Sequence, residues 1–198
     1  MTTAALLRGR LAARRDGRTA TGRLLAVDLE TTGLDGKAEI LAIGDVPIVA
    51  GAIRLGEASH VLVRPGRRSA ALGIEAHHLR PVDVADAPPV EEVLPALLDR
   101  IDAAAAIVVH HAALDVRVLR QACRATGRRW PAPPVIDTLG MVEQIRRRQR
   151  HLGGRRMPRD LAGARTSIGL PPHRTHDALA DAVATAELYL ALRARLTA

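Results

Sequence analysis

Short apolar runs alternate with longer amphipathic stretches along the chain. The apolar runs predict five strands, at residues 24–29, 39–49, 59–63, 105–109 and 133–136. Apolar residues at helical spacing predict helices at 88–101, 112–125, 138–148, 160–168 and 177–196. The first three strands follow one another through glycine-containing turns, which predicts an antiparallel meander, and helices separate the later strands. We therefore expect an α/β fold with a five-stranded mixed sheet flanked by helices.

Acidic residues stand at the end of the first predicted strand. Asp28 and Glu30 are two residues apart, so their side chains face the same side of the sheet. Two such carboxylates repel each other unless a cation lies between them, and oxygen ligands suit Mg²⁺ or Mn²⁺. The alternative is a solvated strand end in which one Asp caps a turn.

Two further motifs follow the fourth strand and open the last helix. In VVHHAALDVRVL, Asp115 lies one turn into a helix, where an acid also complements the helix dipole. Because His110 and His111 are adjacent, they point in opposite directions, which favours packed or surface histidines over joint metal ligands. In RTHDALADAVATAEL, His176 precedes the helix and Asp181 lies in its second turn, where an ordinary exposed acid is the alternative.

Together, D-x-E, the later Asp and H-x₄-D resemble the His-bearing class of the DEDD exonucleases, which have the ribonuclease H-like fold. The segments DLETTGL, EILAIGDVPIVAGAI, GIEAHHLRPVDVADAPPVEEVLPAL and HDALADAVATAEL are similar to family segments across roughly residues 22–192. The resemblance is nearest to bacterial DNA polymerase III epsilon-subunit-like exonucleases. The second motif usually reads His-Asn-x-x-Phe-Asp; here His111 replaces the Asn and Leu114 replaces the Phe, while Asp115 is kept.

The resemblance implies a 3′–5′ exonuclease that uses two Mg²⁺ or Mn²⁺ ions and releases nucleoside 5′-monophosphates. Asp28 is expected to bridge the two ions. Glu30 and Asp181 are expected to hold the ion that activates water, and Asp115 to orient the ion at the leaving group. His176 is expected to be the general base, because imidazole titrates near working pH.

The turn after the first strand is expected to bind the substrate. The backbone amides and hydroxyls of Thr31, Thr32 and Gly33 would grip the 3′-terminal nucleotide, and Leu34 would wedge against the last base. His111 stands where the family's Asn is expected to contact that nucleotide. All five residues are carried over from the resemblance.

The charge balance favours a polyanionic partner. The formal net charge is +8, and Lys37 is the only lysine among 29 basic residues, which leaves 28 arginines. Arginine binds phosphate through two parallel hydrogen bonds, although a codon bias would also enrich it. The densest clusters are Arg8, Arg10, Arg14, Arg15 and Arg18, then Arg146, Arg147, Arg148, Arg150, Arg155, Arg156 and Arg159. The second cluster either lines a substrate groove or is a solvated basic loop.

Residues 1–20 are expected to form a basic N-terminal arm, and residues 21–198 an exonuclease domain. A lone cysteine, Cys123, excludes a disulfide within the chain. Neither a membrane-spanning run nor a secretory leader is apparent, so we expect a cytoplasmic protein without membrane contact.

The expected partner is a single-stranded 3′ end, with DNA favoured over RNA, and a polymerase or repair complex is a further expected partner. The alternatives are an exoribonuclease that trims RNA 3′ ends and a non-catalytic nucleic-acid-binding subunit of a polymerase complex. The chain ends soon after the last predicted helix, which favours a stand-alone nuclease. A zinc hydrolase finds no support, because H-E-x-x-H or a similar spacing is missing.

Overall fold

The computed structural model describes residues 22–33, 38–66, 79–149 and 156–197. The strands are β1 Leu24–Thr31, β2 Ile40–Val49, β3 Ala52–Ile53, β4 Ser59–Leu62, β5 Ala106–Val109 and β6 Val135–Asp137. The helices are α1 Pro81–Val84, α2 Val90–Asp102, α3 Ala112–Ala125, α4 Thr138–Gln149, α5 Leu161–Thr166 and α6 Ala178–Thr197. A single 3₁₀ turn, Leu55–Glu57, precedes β4.

One mixed sheet holds all six strands, in the order β3-β2-β1-β5-β6, and β4 also pairs with β2. β1 runs antiparallel to β2 and parallel to β5, and β5 runs parallel to β6. The far side of β2 pairs with β3 and β4, both antiparallel. This arrangement confirms the predicted mixed sheet with its antiparallel meander. The strand β3 and the helix α1 were not predicted, because two and four residues are too short to show a period.

The alternation of side chains along β1 divides the core into two layers. Leu25, Val27 and Leu29 pack in the layer that contains residues of α2 and α3. Leu24 and Ala26 pack in the layer that contains residues of α6. Successive strand residues point to opposite faces, so the even-numbered Asp28 and Glu30 lie on the face covered by α6.

A glycine in β2 lets the start of α6 approach the sheet closely. Gly44 pairs with Asp28 in the β1–β2 register. A Cβ atom at Gly44 would lie 2.1 Å from both the carbonyl carbon and the carbonyl oxygen of Ala178, so the absence of a side chain is required for this packing. The first turn of α6 is thereby placed over the acidic end of β1.

Several predicted features fall outside the described residues: the basic arm 1–20, Leu34, Arg150 and Arg155. Within the part of the chain that the structure describes, none of the helices has the length and apolar character needed to cross a membrane.

Candidate active site

Three carboxylates meet where the first turns of α6 cover β1. Asp28 and Glu30 come from β1, and Asp181 comes from α6. Each offers a ligand oxygen, and these oxygens all lie within 4.8 Å of one another. The sequence motifs D-x-E and H-x₄-D therefore converge in space, as expected.

The fourth acid lies deeper in the protein. Asp115, in the first turn of α3, is only 4% exposed. Among the described residues, the oxygens that lie mutually within 4.8 Å belong to the other three acids and not to Asp115. Its charge nevertheless acts on Asp28, whose pKa it raises. Asp115 is thus close to the trio without sharing the same cluster of ligand atoms.

Burial and the charges of neighbouring acids raise the pKa values of Asp28, Glu30 and Asp115. Burial, then the charges of Asp115, Asp181 and Glu30, raises the pKa of Asp28 well above its ordinary value. Burial, then the charges of Asp181 and Asp177, raises the pKa of Glu30 to about 7. Burial is also the main cause of the raised pKa of Asp115. A cation among these oxygens would remove the repulsion.

The chemistry of the donor set fits Mg²⁺ or Mn²⁺. All three clustered donors are carboxylate oxygens, which these hard cations prefer, whereas zinc sites usually include nitrogen or sulfur. In the described part of the chain, Asp28, Glu30 and Asp115 form no ion pair with arginine. Among the described residues, no arginine therefore competes with a divalent ion for the oxygens of these three acids.

The segment before α6 is hydrogen-bonded to the third acid of the trio. The backbone N–H of His176 donates to Asp181 Oδ2 at 2.8 Å. Nε2 of His173 lies 2.7 Å from Asp181 Oδ1. His176 itself is exposed and has a left-handed backbone, with φ of 61°. His176, the predicted general base, thus lies on a segment that two hydrogen bonds hold to Asp181.

The two adjacent histidines after β5 have separate roles. Nδ1 of His110 lies 2.9 Å from Thr138 Oγ1, and its Nε2 lies 2.9 Å from the carbonyl oxygen of Arg159. Burial lowers its pKa. These contacts bear out the packed-histidine interpretation for His110. His111 caps α3 with φ of 78°, and its backbone N–H donates to Asp137 Oδ1 at 3.1 Å.

The left-handed backbone explains why His111 can replace an Asn. Asn, Asp and His are the residues other than glycine that most often adopt a positive φ. The backbone at residue 111 therefore suits His as well as Asn, and Asp115 lies in the first turn of α3. A contact between His111 and a nucleotide stays a prediction.

At the end of β1, the hydroxyls of Thr31 and Thr32 form hydrogen bonds with nearby backbone groups. The hydroxyl of Thr31 donates to the carbonyl oxygen of Gly33 at 2.8 Å. The hydroxyl oxygen of Thr32 accepts from the backbone N–H of Glu39 at 3.0 Å, which leaves its hydrogen able to donate elsewhere. Thr31 therefore uses its hydroxyl hydrogen within the turn, and Thr32 does not; substrate contacts of both residues stay predictions.

Sequence reasoning missed three residues that shape this site: Gly44, His173 and Arg165. An isolated glycine inside a strand pattern signals close backbone approach, and PPHRTH places a second histidine three residues before His176. Arg165 carried no signal beyond its place in an amphipathic helix. It is 2% exposed, and its guanidinium donates to the carbonyl oxygens of Ala184 and Pro171.

The second arginine cluster is divided by the structure. Arg146 and Arg159 both form ion pairs with Glu143, so each already has an acidic partner within the protein. Arg147 and Arg148 are exposed near the end of α4. Those two are the members of the cluster on α4 that remain candidates for phosphate contacts.

Comparison with known proteins identifies the family. The family model described as Exonuclease matches residues 25–189, and the chain belongs to this family of nucleases. A DNA polymerase III subunit epsilon-like protein of Rhodobacter capsulatus is 34% identical over 173 residues, which are 86% of this chain and 24% of that protein. The chain spans 11% to 26% of the length of four curated relatives with 30% to 34% identity.

Solved nuclease structures share the fold. Exonuclease X in complex with 5′ overhanging duplex DNA superimposes with a TM-score of 0.65 at 24% identity, over 88% of this chain and 93% of that chain. The nuclease domain of 3′hExo, a DEDDh family member bound to rAMP, gives a TM-score of 0.69 at 15% identity, over 87% and 92% of the two chains. These similarities confirm the predicted ribonuclease H-like fold.

Proposed function

We propose that this protein is a metal-dependent 3′–5′ exonuclease that hydrolyses phosphodiester bonds from a 3′ end, with DNA as the favoured substrate. The products are nucleoside 5′-monophosphates. The observation that carries the proposal is the trio Asp28, Glu30 and Asp181, whose ligand oxygens lie within 4.8 Å of one another on the face where α6 covers β1.

The acids would hold two divalent ions, Mg²⁺ or Mn²⁺. Asp28, Glu30 and Asp181 would hold one ion, and Asp28 and Asp115 would hold the other. When bound, a pair of such ions lowers the pKa of an attacking water and neutralises charge on the leaving oxygen. The raised pKa values of Asp28 and Glu30 support this assignment, because the metal-free fold leaves those charges without compensation.

His176 is the general base. It is exposed, and its backbone N–H is bonded to Asp181, so the residue lies next to the carboxylates and its imidazole is accessible to water. Because residue 176 has a positive φ, Asn is the best replacement for testing the imidazole: it tolerates this backbone and cannot act as a base. We expect His176→Asn to lower turnover severely while nucleic-acid binding persists.

DNA is favoured because the relatives at 30% identity or more include polymerase III proteins and an epsilon-like protein. The same names support a polymerase complex as a partner, and a repair complex is the alternative. An exoribonuclease is the second candidate, since 3′hExo of the same fold was solved with rAMP. Discrimination between the two depends on contacts to the 2′-hydroxyl.

The test uses 3′- and 5′-labelled single-stranded DNA and the matching RNA, with Mg²⁺, Mn²⁺ or EDTA, beside Asp28→Ala. Stepwise loss from the 3′ end that requires both metal and Asp28 is the expected result, with DNA degraded faster. Faster loss of RNA would identify the exoribonuclease instead. Binding of either nucleic acid without cleavage would favour the non-catalytic subunit.

A further inference from the structure

His173 is almost buried against the candidate metal site. Its side chain is 10% exposed, and that of Asp181 is 13% exposed. Nε2 of His173 lies 2.7 Å from Asp181 Oδ1, while Asp181 Oδ2 accepts the backbone N–H of His176 at 2.8 Å. Both oxygens of this carboxylate are therefore hydrogen-bonded to the segment that carries the proposed general base.

We propose that His173 is a positioning residue for the hydrolysis: it orients the carboxylate of Asp181 for the cation and fixes the segment that carries His176. This inference rests on the proposed function, because it concerns the same site. It adds a residue outside the DEDD acids and the histidine of the H-x₄-D motif.

The two hydrogen bonds fix the orientation of the Asp181 carboxylate, and each of its oxygens can still accept a further contact. Each carboxylate oxygen has two acceptor sites, so one N–H at Oδ1 and one at Oδ2 leave an acceptor site on each for a cation. Because both donors come from the same short segment, rotation of the carboxylate would break both bonds together. Groups that hold a metal ligand in this manner contribute strongly to metal affinity.

His173 acts through Asp181 and not as a further ligand. Among the described residues, the ligand atoms that lie mutually within 4.8 Å belong to Asp28, Glu30 and Asp181, and this set does not extend to His173. The imidazole of His173 would therefore act on a bound cation through the carboxylate of Asp181.

The beginning of the segment that carries His173 is also held in place by hydrogen bonds, which fixes the position of His173. The buried guanidinium of Arg165 donates to the carbonyl oxygen of Pro171, two residues before His173. The same guanidinium donates to the carbonyl oxygen of Ala184 in α6. Arg165 thus joins the beginning of the segment to the helix that carries Asp181, and His173 joins its middle to Asp181 itself.

The experiment compares two replacements that fill the space of the imidazole. In His173→Gln the side-chain amide can donate to the same oxygen, and in His173→Met it cannot. Arg174→Ala, an exposed neighbour in the same segment, is the control for general disturbance. Mn²⁺ binding to the full, metal-free chain is measured without nucleic acid, by the EPR signal of free Mn²⁺. Turnover of single-stranded DNA is then measured at saturating Mn²⁺, and urea unfolding confirms that each variant is folded.

We expect His173→Met to weaken Mn²⁺ binding about 10- to 100-fold, and His173→Gln and Arg174→Ala to stay close to the wild type. At saturating Mn²⁺, His173→Met should lower kcat and leave KM for DNA unchanged. Wild-type or tighter Mn²⁺ binding by His173→Met would overturn the inference, as would equal losses in the Gln and Met variants. The proposed function fails separately, if the wild type does not bind Mn²⁺ or if Asp28→Ala binds it equally well.

Discussion

Replacing Glu30 by Gln should stabilise the metal-free protein, although it removes a functional acid. The fold raises the pKa of Glu30 from its ordinary 4.5 to about 7, chiefly through burial and then through the charge of Asp181. A carboxyl group with a raised pKa keeps its proton in the folded state while the unfolded chain loses it. The stability of the wild type therefore falls as the pH rises from about 4.5 to 7.

The size of the effect follows from the shift. Near pH 8 the ionised Glu30 costs the folded state about 3 kcal/mol, at roughly 1.4 kcal/mol per pKa unit, and near pH 5 it costs less than about 1 kcal/mol. Glu30→Gln removes this cost, so in EDTA it should gain up to about 3 kcal/mol of unfolding free energy near pH 8 and little near pH 5. Glu92→Gln, an exposed position in α2, should change stability by less than about 0.5 kcal/mol at either pH.

Urea unfolding in EDTA and in Mn²⁺ at both pH values measures these differences. An ion that binds the native wild type at about 100 times its Kd adds about 3 kcal/mol, and Glu30→Gln should lose much of this gain. The difference in unfolding free energy between the two proteins near pH 8 should therefore become smaller or change sign when Mn²⁺ is added. The electrostatic argument would be refuted if Glu30→Gln were no more stable than the wild type in EDTA near pH 8. It would also be refuted if the gain in unfolding free energy were the same at both pH values.

Three further changes test other parts of the fold. Gly44→Ala should lower the free energy of urea unfolding by about 1–3 kcal/mol or more and weaken Mn²⁺ binding, because its Cβ would overlap the backbone of α6. Gly56 has open space around it, so Gly56→Ala should change neither the unfolding free energy nor Mn²⁺ binding by much. Arg165→Met should lower the free energy of urea unfolding by about 3 kcal/mol, since it removes a buried guanidinium that pairs with Glu187 and donates to the carbonyl oxygens of Ala184 and Pro171; unchanged stability would contradict this. Arg147→Gln with Arg148→Gln should weaken binding of single-stranded DNA and reduce its salt slope by roughly 1; an unchanged slope would favour the solvated basic loop.

The sequence was sufficient to predict the site wherever the chemistry follows a regular period. Asp28 and Glu30 share a face because they lie two residues apart in a strand. Periodicity alone left Asp181 open as an ordinary exposed acid, and the resemblance to the DEDD exonucleases joined it to the other two. In the structure its helix packs on β1 and β2, and the three carboxylates meet.

Prediction failed where position depends on an irregular path of the chain. His173 lies between α5 and α6, and only the course of that segment brings its imidazole to Asp181. The same holds for Arg165, whose bonds reach Pro171 and Ala184. The spacing of residues in a loop does not fix which atoms meet, so these contacts could not be derived from the sequence.

The distribution of arginine partners is a strong physical argument for a cation at this site. The chain has 28 arginines, and within the described residues they pair with several acids away from the site, including Asp45, Glu57 and Glu187. Asp28 and Glu30 have no such partner among those residues, and their pKa values are raised instead. An arginine beside them would stabilise the fold but would also occupy the position of an ion. Acids that are buried together without an arginine partner lower the stability of the fold, which is typical of a functional site.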